Sequence, residues 1–148
     1  MGRILGLDYG HRRIGVAISD PLGLIAQPLE TWNRYTDQQV IARITELIET
    51  FMVELIVLGY PLTLRGDKSR STKRVERFRD MLVSRIHIGV ELIDERLTSV
   101  QAERIMHDMN IKPSQHKAQV DMRAAALLLQ VFLDQNRLPD EATAKAAD

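Results

Sequence analysis

The sequence of 148 residues contains no cysteine, which excludes disulfide bonds, a thiol nucleophile and zinc sites that use thiolate ligands. The four histidines do not form an HxxxH pair; they are His11, His87, His107 and His116. A metal ion bound by this chain would therefore be held mainly by oxygen atoms.

Long hydrophobic runs are also missing. No stretch approaches the roughly 18 apolar residues of a membrane-spanning helix, and the N-terminal residues lack the charged-then-apolar pattern of a signal peptide. We therefore expect a cytoplasmic protein that does not bind membranes. Aromatic residues make up only 5% of the chain. This scarcity argues against an extended platform for stacking single-stranded bases and favours recognition of nucleic acid through its backbone and shape.

The formal net charge is zero, so the chain as a whole lacks the basic excess that is typical of nucleic-acid-binding proteins. The charge is nevertheless uneven, because one segment sets seven basic residues against Asp67 and Glu76. The seven are Arg65, Lys68, Arg70, Lys73, Arg74, Arg77 and Arg79. A local basic patch of this kind can bind phosphates without a global charge excess.

Length and hydrophobic periodicity predict one domain, residues 1–138, and a disordered tail, 139–148, whose small and polar residues have nothing to bury. The order of elements is β-β-β-α-β-α-β-α-α. The predicted strands are 3–8, 13–19, 25–32, 54–58 and 90–95, and the helices are 39–51, a segment around 75–82, 98–109 and 117–135. Three hairpin strands followed by two helical crossovers predict an α/β fold: an antiparallel edge on a five-stranded mixed sheet, with helices on both faces.

Asp8 places a carboxylate at the end of the apolar run 4–7. Open α/β sheets bind ligands outside the carboxyl ends of their strands, and the first strand is expected to lie near the centre of this sheet. A turn-forming role for Asp8 beside Gly10 explains the same residue equally well.

Acidic residues recur at two further positions. The fifth predicted strand ends in Asp94 and Glu95, which alternate between opposite faces, so at most one of them shares a face with Asp8. One of this pair can instead cap the strand end or bind Arg96. Asp121 lies on the apolar face of the last predicted helix, where an ionised carboxylate requires a compensating charge or metal; the alternative is a carboxylate near a helix N-terminus.

The run 124–126 consists of alanines, whose small side chains let this helix approach the sheet and bring Asp121 to the strand ends. Converging carboxylates without histidine or cysteine suit Mg²⁺ or Mn²⁺. Two such ions can activate water and stabilise the leaving oxygen in an in-line displacement at phosphorus. Without metal, crowding and burial are expected to raise the pKa of at least one of these carboxyls.

Four blocks in order resemble the YqgF/RuvX family of RNase H-like proteins, which are described as pre-16S rRNA nucleases and Holliday junction resolvases. The blocks are "LGLDYGHRRIGVAISD", "GYPLTLRG", "DERLTSVQAE" and "KAQVDMRAAALLLQ", and the resemblance spans about residues 3–133. It implies an RNase H-like fold and a catalytic, metal-binding triad of Asp8, Glu95 and Asp121. It thereby selects Glu95 over Asp94.

Candidate substrate-binding residues lie in the same blocks. Arg65, Lys68 and Arg70 belong to the polar loop 63–71, where backbone phosphates would pass, although a solvated loop is the simpler explanation. Arg12 and Arg96 can contact phosphates or neutralise the acids when no metal is bound. The glycines of the first block also resemble the phosphate hairpin of actin-like ATPases, but the chain is too short for a second lobe and has no GxxxxGK[ST] element.

The leading hypothesis is a metal-dependent nuclease that processes the 5′ end of pre-16S rRNA in ribosome biogenesis. A resolvase of four-way DNA junctions is the close alternative. A non-catalytic nucleic-acid-binding factor in ribosome assembly is the alternative of another class. The expected partners are structured RNA or branched DNA, with ribosomal particles as a further partner, and we expect a monomer or weak homodimer.

Overall fold

The computed structural model describes residues 2–33, 36–98 and 115–137, the first six residues of the last range by their backbone alone. These residues form five strands and three helices. The strands are β1 (Arg3–Tyr9), β2 (Arg13–Ser19), β3 (Ala26–Asn33), β4 (Val53–Tyr60) and β5 (Gly89–Asp94). The helices are α1 (Asp37–Phe51), α2 (Arg70–Arg85) and α3 (Gln115–Gln135), and a 3-10 turn, Glu95–Leu97, follows β5.

The strands form one mixed sheet in the order β3-β2-β1-β4-β5. The first three strands pair antiparallel, whereas β4 runs parallel to both β1 and β5. The predicted α/β architecture is therefore confirmed, and β1 is the central strand. The carboxyl ends of β1, β4 and β5 meet at one edge of the sheet.

The two faces of the sheet are covered by different helices because side chains alternate along each strand. One face packs against α1 and α2 through alternate residues such as Leu5, Leu7 and Ile56. The other face, which we call the α3 face, packs against α3 through Ala17 and Val57. Each helix contributes its apolar side to the sheet, as the hydrophobic spacing predicts.

Local capping sets the helix starts. The Thr36 side chain accepts a hydrogen bond from the backbone N–H of Gln39 at the start of α1. Ser69 and Thr72 form a reciprocal capping box at the start of α2, which satisfies backbone donors that a helix leaves unpaired. Arg70 is therefore the first residue of α2, which corrects its predicted place in a loop.

One strand end also differs from the prediction. The sequence places Glu95 on the last strand, but β5 ends at Asp94 and Glu95 begins the 3-10 turn. The predicted helix 98–109 and the predicted tail 139–148 lie outside the described residues. None of the helices in the described part of the chain combines the length and hydropathy of a membrane span.

A candidate active site at the carboxyl edge of the sheet

Asp8 lies near the carboxyl end of the central strand and is almost completely buried, with 1% of its surface exposed. Its chain neighbours Leu7 and Tyr9 pack on the opposite face, so the Asp8 side chain points to the α3 face. Gly15 of β2 is its cross-strand partner. On the other side, Gly59 of β4 follows the residue that pairs with Leu7, so Asp8 lies between two glycines.

Glu95 is brought to the same edge by the 3-10 turn after β5. The turn is capped by Asp94, whose Oδ1 accepts a hydrogen bond from the Arg96 N–H at 2.9 Å. Oε1 of Glu95 lies 2.8 Å from the position that a Cβ atom would take on Gly59, so the missing side chain at 59 leaves room for this carboxylate. Glu95 is 3% exposed. Its burial, with a smaller contribution from the charge of Asp94, raises its pKa to about 7.

Asp121 reaches the site from α3, and Gly15 makes its approach possible. A Cβ atom on Gly15 would overlap the backbone carbonyl oxygen of Asp121. The Asp121 side chain is only partly buried, and its Oδ2 accepts a hydrogen bond from Arg13 Nε at 2.9 Å. Asp121 shares its helical face with the buried residues Ala125 and Leu128, as the spacing predicts, and the compensating charge is an arginine.

The three predicted acids therefore meet at one edge of the sheet, with Asp8 between the glycines that accommodate Glu95 and the backbone of Asp121. They do not form a closed metal cluster: within the described ranges, no three His, Asp or Glu side chains are placed to hold one ion. The oxygen-only donor set and the deep burial of two carboxylates nevertheless fit a hard divalent cation. The third carboxylate, that of Asp121, forms an ion pair with Arg13.

The raised pKa expected of at least one of these acids is found at Glu95, and burial, one of the two expected causes, is the larger. Burial is the largest cause of the raised pKa, and the nearby charge is that of Asp94 rather than of the other two predicted acids. The Asp94 carboxyl itself has a lowered pKa, chiefly because the Arg96 side chain donates hydrogen bonds to it. One acid of the pair is thus stabilised as an anion while its neighbour tends to stay protonated.

The predicted substrate-binding residues divide into two groups. Lys68 and Arg96 form ion pairs within the protein: Lys68 Nζ lies 2.8 Å from Glu76 Oε2, and Arg96 Nη2 lies 2.7 Å from Asp94 Oδ2. The others are exposed in the β1–β2 turn, in the loop after β4 and at the start of α2, and they are Arg12, Arg65 and Arg70. The loop is closed by backbone hydrogen bonds, including Thr63 N–H to the Asp67 carbonyl at 2.9 Å.

A cleft of about 330 Å³ opens beside the acids, between the β1–β2 turn, the loop after β4 and the start of α2. We call it the α2 cleft, and its polar lining includes His11, Thr63, Ser71, Arg74 and Glu95. Three components of this edge are not predicted from the sequence: the counterion Arg13, the cleft residue Arg74 and the pair of glycines around Asp8. Arg74 was visible only as one member of a basic run, and the glycines only as interruptions of apolar strands.

Residues 2–135 match the family model described as "RuvX: Holliday junction resolvase". The chain belongs to the RuvX family. A RuvX relative from Chloroflexus aurantiacus, named "Putative pre-16S rRNA nuclease", is 46% identical over 134 residues, which cover 90% of this chain and 88% of that protein. A relative of the same name from Dictyoglomus thermophilum is 38% identical and covers 92% of this chain and 98% of its own.

Solved structures confirm the RNase H-like fold of this RuvX chain. RuvC of T. thermophilus, in complex with a Holliday junction substrate, superimposes with a TM-score of 0.57 at 14% identity, over 91% of this chain and 95% of RuvC. The yeast mitochondrial Holliday junction resolvase Ydc2 gives a TM-score of 0.53 at 15% identity, over 92% of this chain and 82% of Ydc2. At such identities the likeness concerns the fold alone.

Proposed function

We propose that this RuvX protein is a divalent-metal-dependent nuclease that hydrolyses phosphodiester bonds and processes the 5′ end of pre-16S rRNA, in the cytoplasm. The observation that carries the proposal is the burial of two carboxylates, Asp8 and Glu95, where the carboxyl ends of three strands meet beside Asp121. Buried acids destabilise a fold unless a ligand or countercharge compensates them. The names of the bacterial relatives supply the substrate.

Asp8, Glu95 and Asp121 would hold Mg²⁺ or Mn²⁺. When bound, the metal would activate water and stabilise the leaving oxygen of an in-line displacement at phosphorus. The ion pair with Arg13 keeps the Asp121 carboxylate compensated in the metal-free protein. The pair uses Oδ2 of Asp121, so metal would bind through the other oxygen or in exchange for Arg13, which would then contact a substrate phosphate at the same edge.

The substrate strand would cross this edge against the exposed basic residues Arg12, Arg65 and Arg70. Lys68 and Arg96 are held by carboxylates, so they would contribute mainly to the local potential or exchange partners when a phosphate arrives. Contacts of this kind are non-specific in sequence and weaken with salt. We propose structured pre-rRNA, bare or within a ribosomal particle, as the partner of a protein that acts as a monomer or weak homodimer.

The second candidate substrate is a four-way DNA junction, and the description of the matched family model favours it. Symmetric cutting of a junction calls for two active sites related by a two-fold axis. This candidate therefore requires a homodimer, whereas trimming of an RNA end does not.

The test is a cleavage assay that offers a precursor 16S rRNA end and a four-way DNA junction in parallel, each with Mg²⁺, Mn²⁺ or chelator. We expect metal-dependent cutting of the RNA. Asp121→Asn should slow it at least about 100-fold, the scale on which removal of one charge-stabilising group slows an enzyme. Asp134→Asn is the matched control, because it removes an exposed carboxylate from the same helix outside the site.

The other outcomes decide between the alternatives. Cutting of the junction alone would assign the resolvase activity. A folded protein that cuts neither substrate, and whose RNA binding is unchanged in Asp121→Asn, would support the non-catalytic assembly factor and contradict the nuclease proposal.

A further inference from the structure

The α2 cleft lies directly beside the candidate catalytic acids, because Glu95 forms part of its lining. Its volume of about 330 Å³ is near the lower end of the roughly 300–1,000 Å³ that small-molecule pockets span. A space of this size suits one small ligand unit. Pro61 and Leu62 contribute apolar surface to the lining, and Thr63 and Ser71 contribute hydroxyl groups.

The start of α2 carries positive charge where the helix dipole is already positive. Its first turn contains no acidic residue. Four basic residues fall within its first eight positions, and they are Arg70, Lys73, Arg74 and Arg77. Arg70 and Lys73 lie in the first turn, where cations oppose the helix dipole and a bound anion would offset that cost. Among these four, Arg74 lines the α2 cleft.

Glu95 connects the cleft to the candidate catalytic acids. The residue is 97% buried, since only 3% of its surface is exposed. It lines the cleft, so its carboxyl group lies at the boundary between the cleft and the candidate catalytic acids. One end of the cleft, at Arg74, therefore attracts anions, and the other end, at Glu95, adjoins the candidate catalytic acids.

We propose that the α2 cleft binds one unpaired nucleotide of the substrate strand, next to the phosphodiester that is cut. Arg74 and the Ser71 hydroxyl hold its phosphate at the start of α2, and its base or sugar packs against Pro61 and Leu62. The inference rests on the proposed nuclease function and narrows its substrate to strands that are single-stranded at the cut. A single nucleotide held by its phosphate requires no aromatic platform, which agrees with the low aromatic content.

The first test measures binding without cleavage. In chelator, the full chain is titrated with a labelled single-stranded RNA and with the same strand in a duplex. We expect the wild type to bind the single strand about tenfold more tightly, and Arg74→Gln to abolish this preference. Arg77→Gln is the matched control, because it removes the same charge from an exposed position of the same helix outside the cleft. Its preference should remain.

Two results would overturn the inference: equal affinity of the wild type for single strand and duplex, or equal losses in Arg74→Gln and Arg77→Gln. Thermal melts verify that each variant folds, and Ser71→Ala replaces Arg74→Gln if that variant does not. A nucleoside monophosphate and inorganic phosphate are compared as probes by NMR. Shifts at Ser71 and Thr63 should saturate at lower concentration with the nucleotide; equal or absent saturation would contradict a nucleotide site.

Failure of the inference and failure of the nuclease proposal are distinguishable. If the wild type cuts nothing but prefers single-stranded RNA through Arg74, the cleft binds an unpaired nucleotide and the nuclease proposal fails. If cutting is lost in Asp121→Asn but Arg74→Gln cuts and binds like Arg77→Gln, the nuclease proposal holds and the cleft inference fails.

Discussion

The burial of the Glu95 carboxyl is unfavourable for folding but suits the binding of a cation. The 3-10 turn holds this carboxyl against Gly59 in a space from which water is largely excluded. The pKa of about 7 means that burial penalises the ionised form strongly enough to keep a proton on the group near neutral pH. An approaching cation would reverse this penalty, since it favours the anion.

The raised pKa of Glu95 predicts a stability that depends on pH. The folded protein binds a proton at Glu95 up to about pH 7, whereas the unfolded chain releases it near its ordinary value of 4.5. Between these values the folded state binds more protons, so stability falls as pH rises. The loss from this group amounts to about 3 kcal/mol. Glu95→Gln should remove it.

Urea unfolding in chelator at pH 5 and pH 7.5 measures this effect. Glu95→Gln should be more stable relative to wild type at pH 7.5 than at pH 5. Glu91→Gln, an exposed change on the same strand, should show no such difference. A relative stability of Glu95→Gln that is the same at both pH values would contradict the assignment of the raised pKa to Glu95.

Prediction from the sequence succeeds for residues whose surroundings are set by local periodicity. The end of the apolar run 4–7 places Asp8 near the carboxyl end of the central strand, and helical spacing places Asp121 on a face with buried residues. Only the strand boundary at Glu95 is predicted wrongly, because Asp94 caps a 3-10 turn that begins at Glu95. Prediction from the sequence also misses Arg13, whose partner Asp121 is 108 residues away, since a contact between distant segments leaves no local pattern.

At the scale of elements, the close approach of α3 to the sheet positions the site. The alanines at 124–126 are predicted to permit it, and glycines of the sheet permit it as well. A Cβ atom on Gly6 would lie 2.8 Å from Leu129 Cβ and 3.2 Å from the Ala125 carbonyl oxygen. Gly15 and Gly59 similarly lie beneath Asp121 and Leu128. The sequence could not identify these contacts because a strand glycine also occurs at bulges and turns.

Gly15→Ala tests this packing. The added methyl group would overlap the Asp121 carbonyl oxygen, so α3 must move away from the sheet. Overpacking of this kind typically costs about 1–3 kcal/mol, and the displacement of Asp121 should also slow cleavage. Gly89→Ala is the comparison, since its new Cβ would meet only the Cδ1 of Leu55 at 3.3 Å.

Urea unfolding and single-turnover cleavage distinguish the two glycine variants. We expect Gly89→Ala to unfold near the wild-type midpoint and to cut at the wild-type rate. Equal stability and equal cleavage in both variants would mean that the approach of α3 at Gly15 is not needed for the site.

Hydrophobic periodicity predicts the positions of the helices but not all of their first residues. Periodicity located α1, α2 and α3, but the start of α2 was missed because its capping box pairs Ser69 with Thr72 rather than with the usual Glu or Gln. The error matters for function, since it moved Arg70 from a loop to the first turn of a helix. Charged residues there act on a ligand together with the helix dipole.

At the scale of the whole molecule, a neutral chain concentrates opposite charges at one edge of its sheet. Parallel pairing of β1, β4 and β5 brings three carboxyl ends together, and the acids lie there beside the basic start of α2. This topology follows from the order of elements in the sequence. The ion pairs of that edge cannot be derived from the order of elements, because they depend on how loops and helix ends meet in space.

Binding of a divalent cation should stabilise the whole fold in a way that is independent of activity. A ligand that binds only the folded state adds about 2.7 kcal/mol when its concentration is 100 times its dissociation constant. Mg²⁺ or Mn²⁺ should therefore raise the melting temperature progressively in the wild type. Asp121→Asn should abolish most of this rise, because it removes one carboxylate of the site.

The metal-free melting temperature of Asp121→Asn should change little, since the Arg13 pair that it weakens is partly exposed and such pairs contribute about 0–1 kcal/mol. Asp134→Asn should respond to metal like the wild type, because Asp134 lies on the exposed side of α3. A rise of equal size in all three proteins would locate the cation elsewhere, and no rise in the wild type would contradict metal binding at this edge. Differential scanning calorimetry across a metal titration separates these cases without any substrate, so the cation site is tested independently of the choice between RNA and DNA.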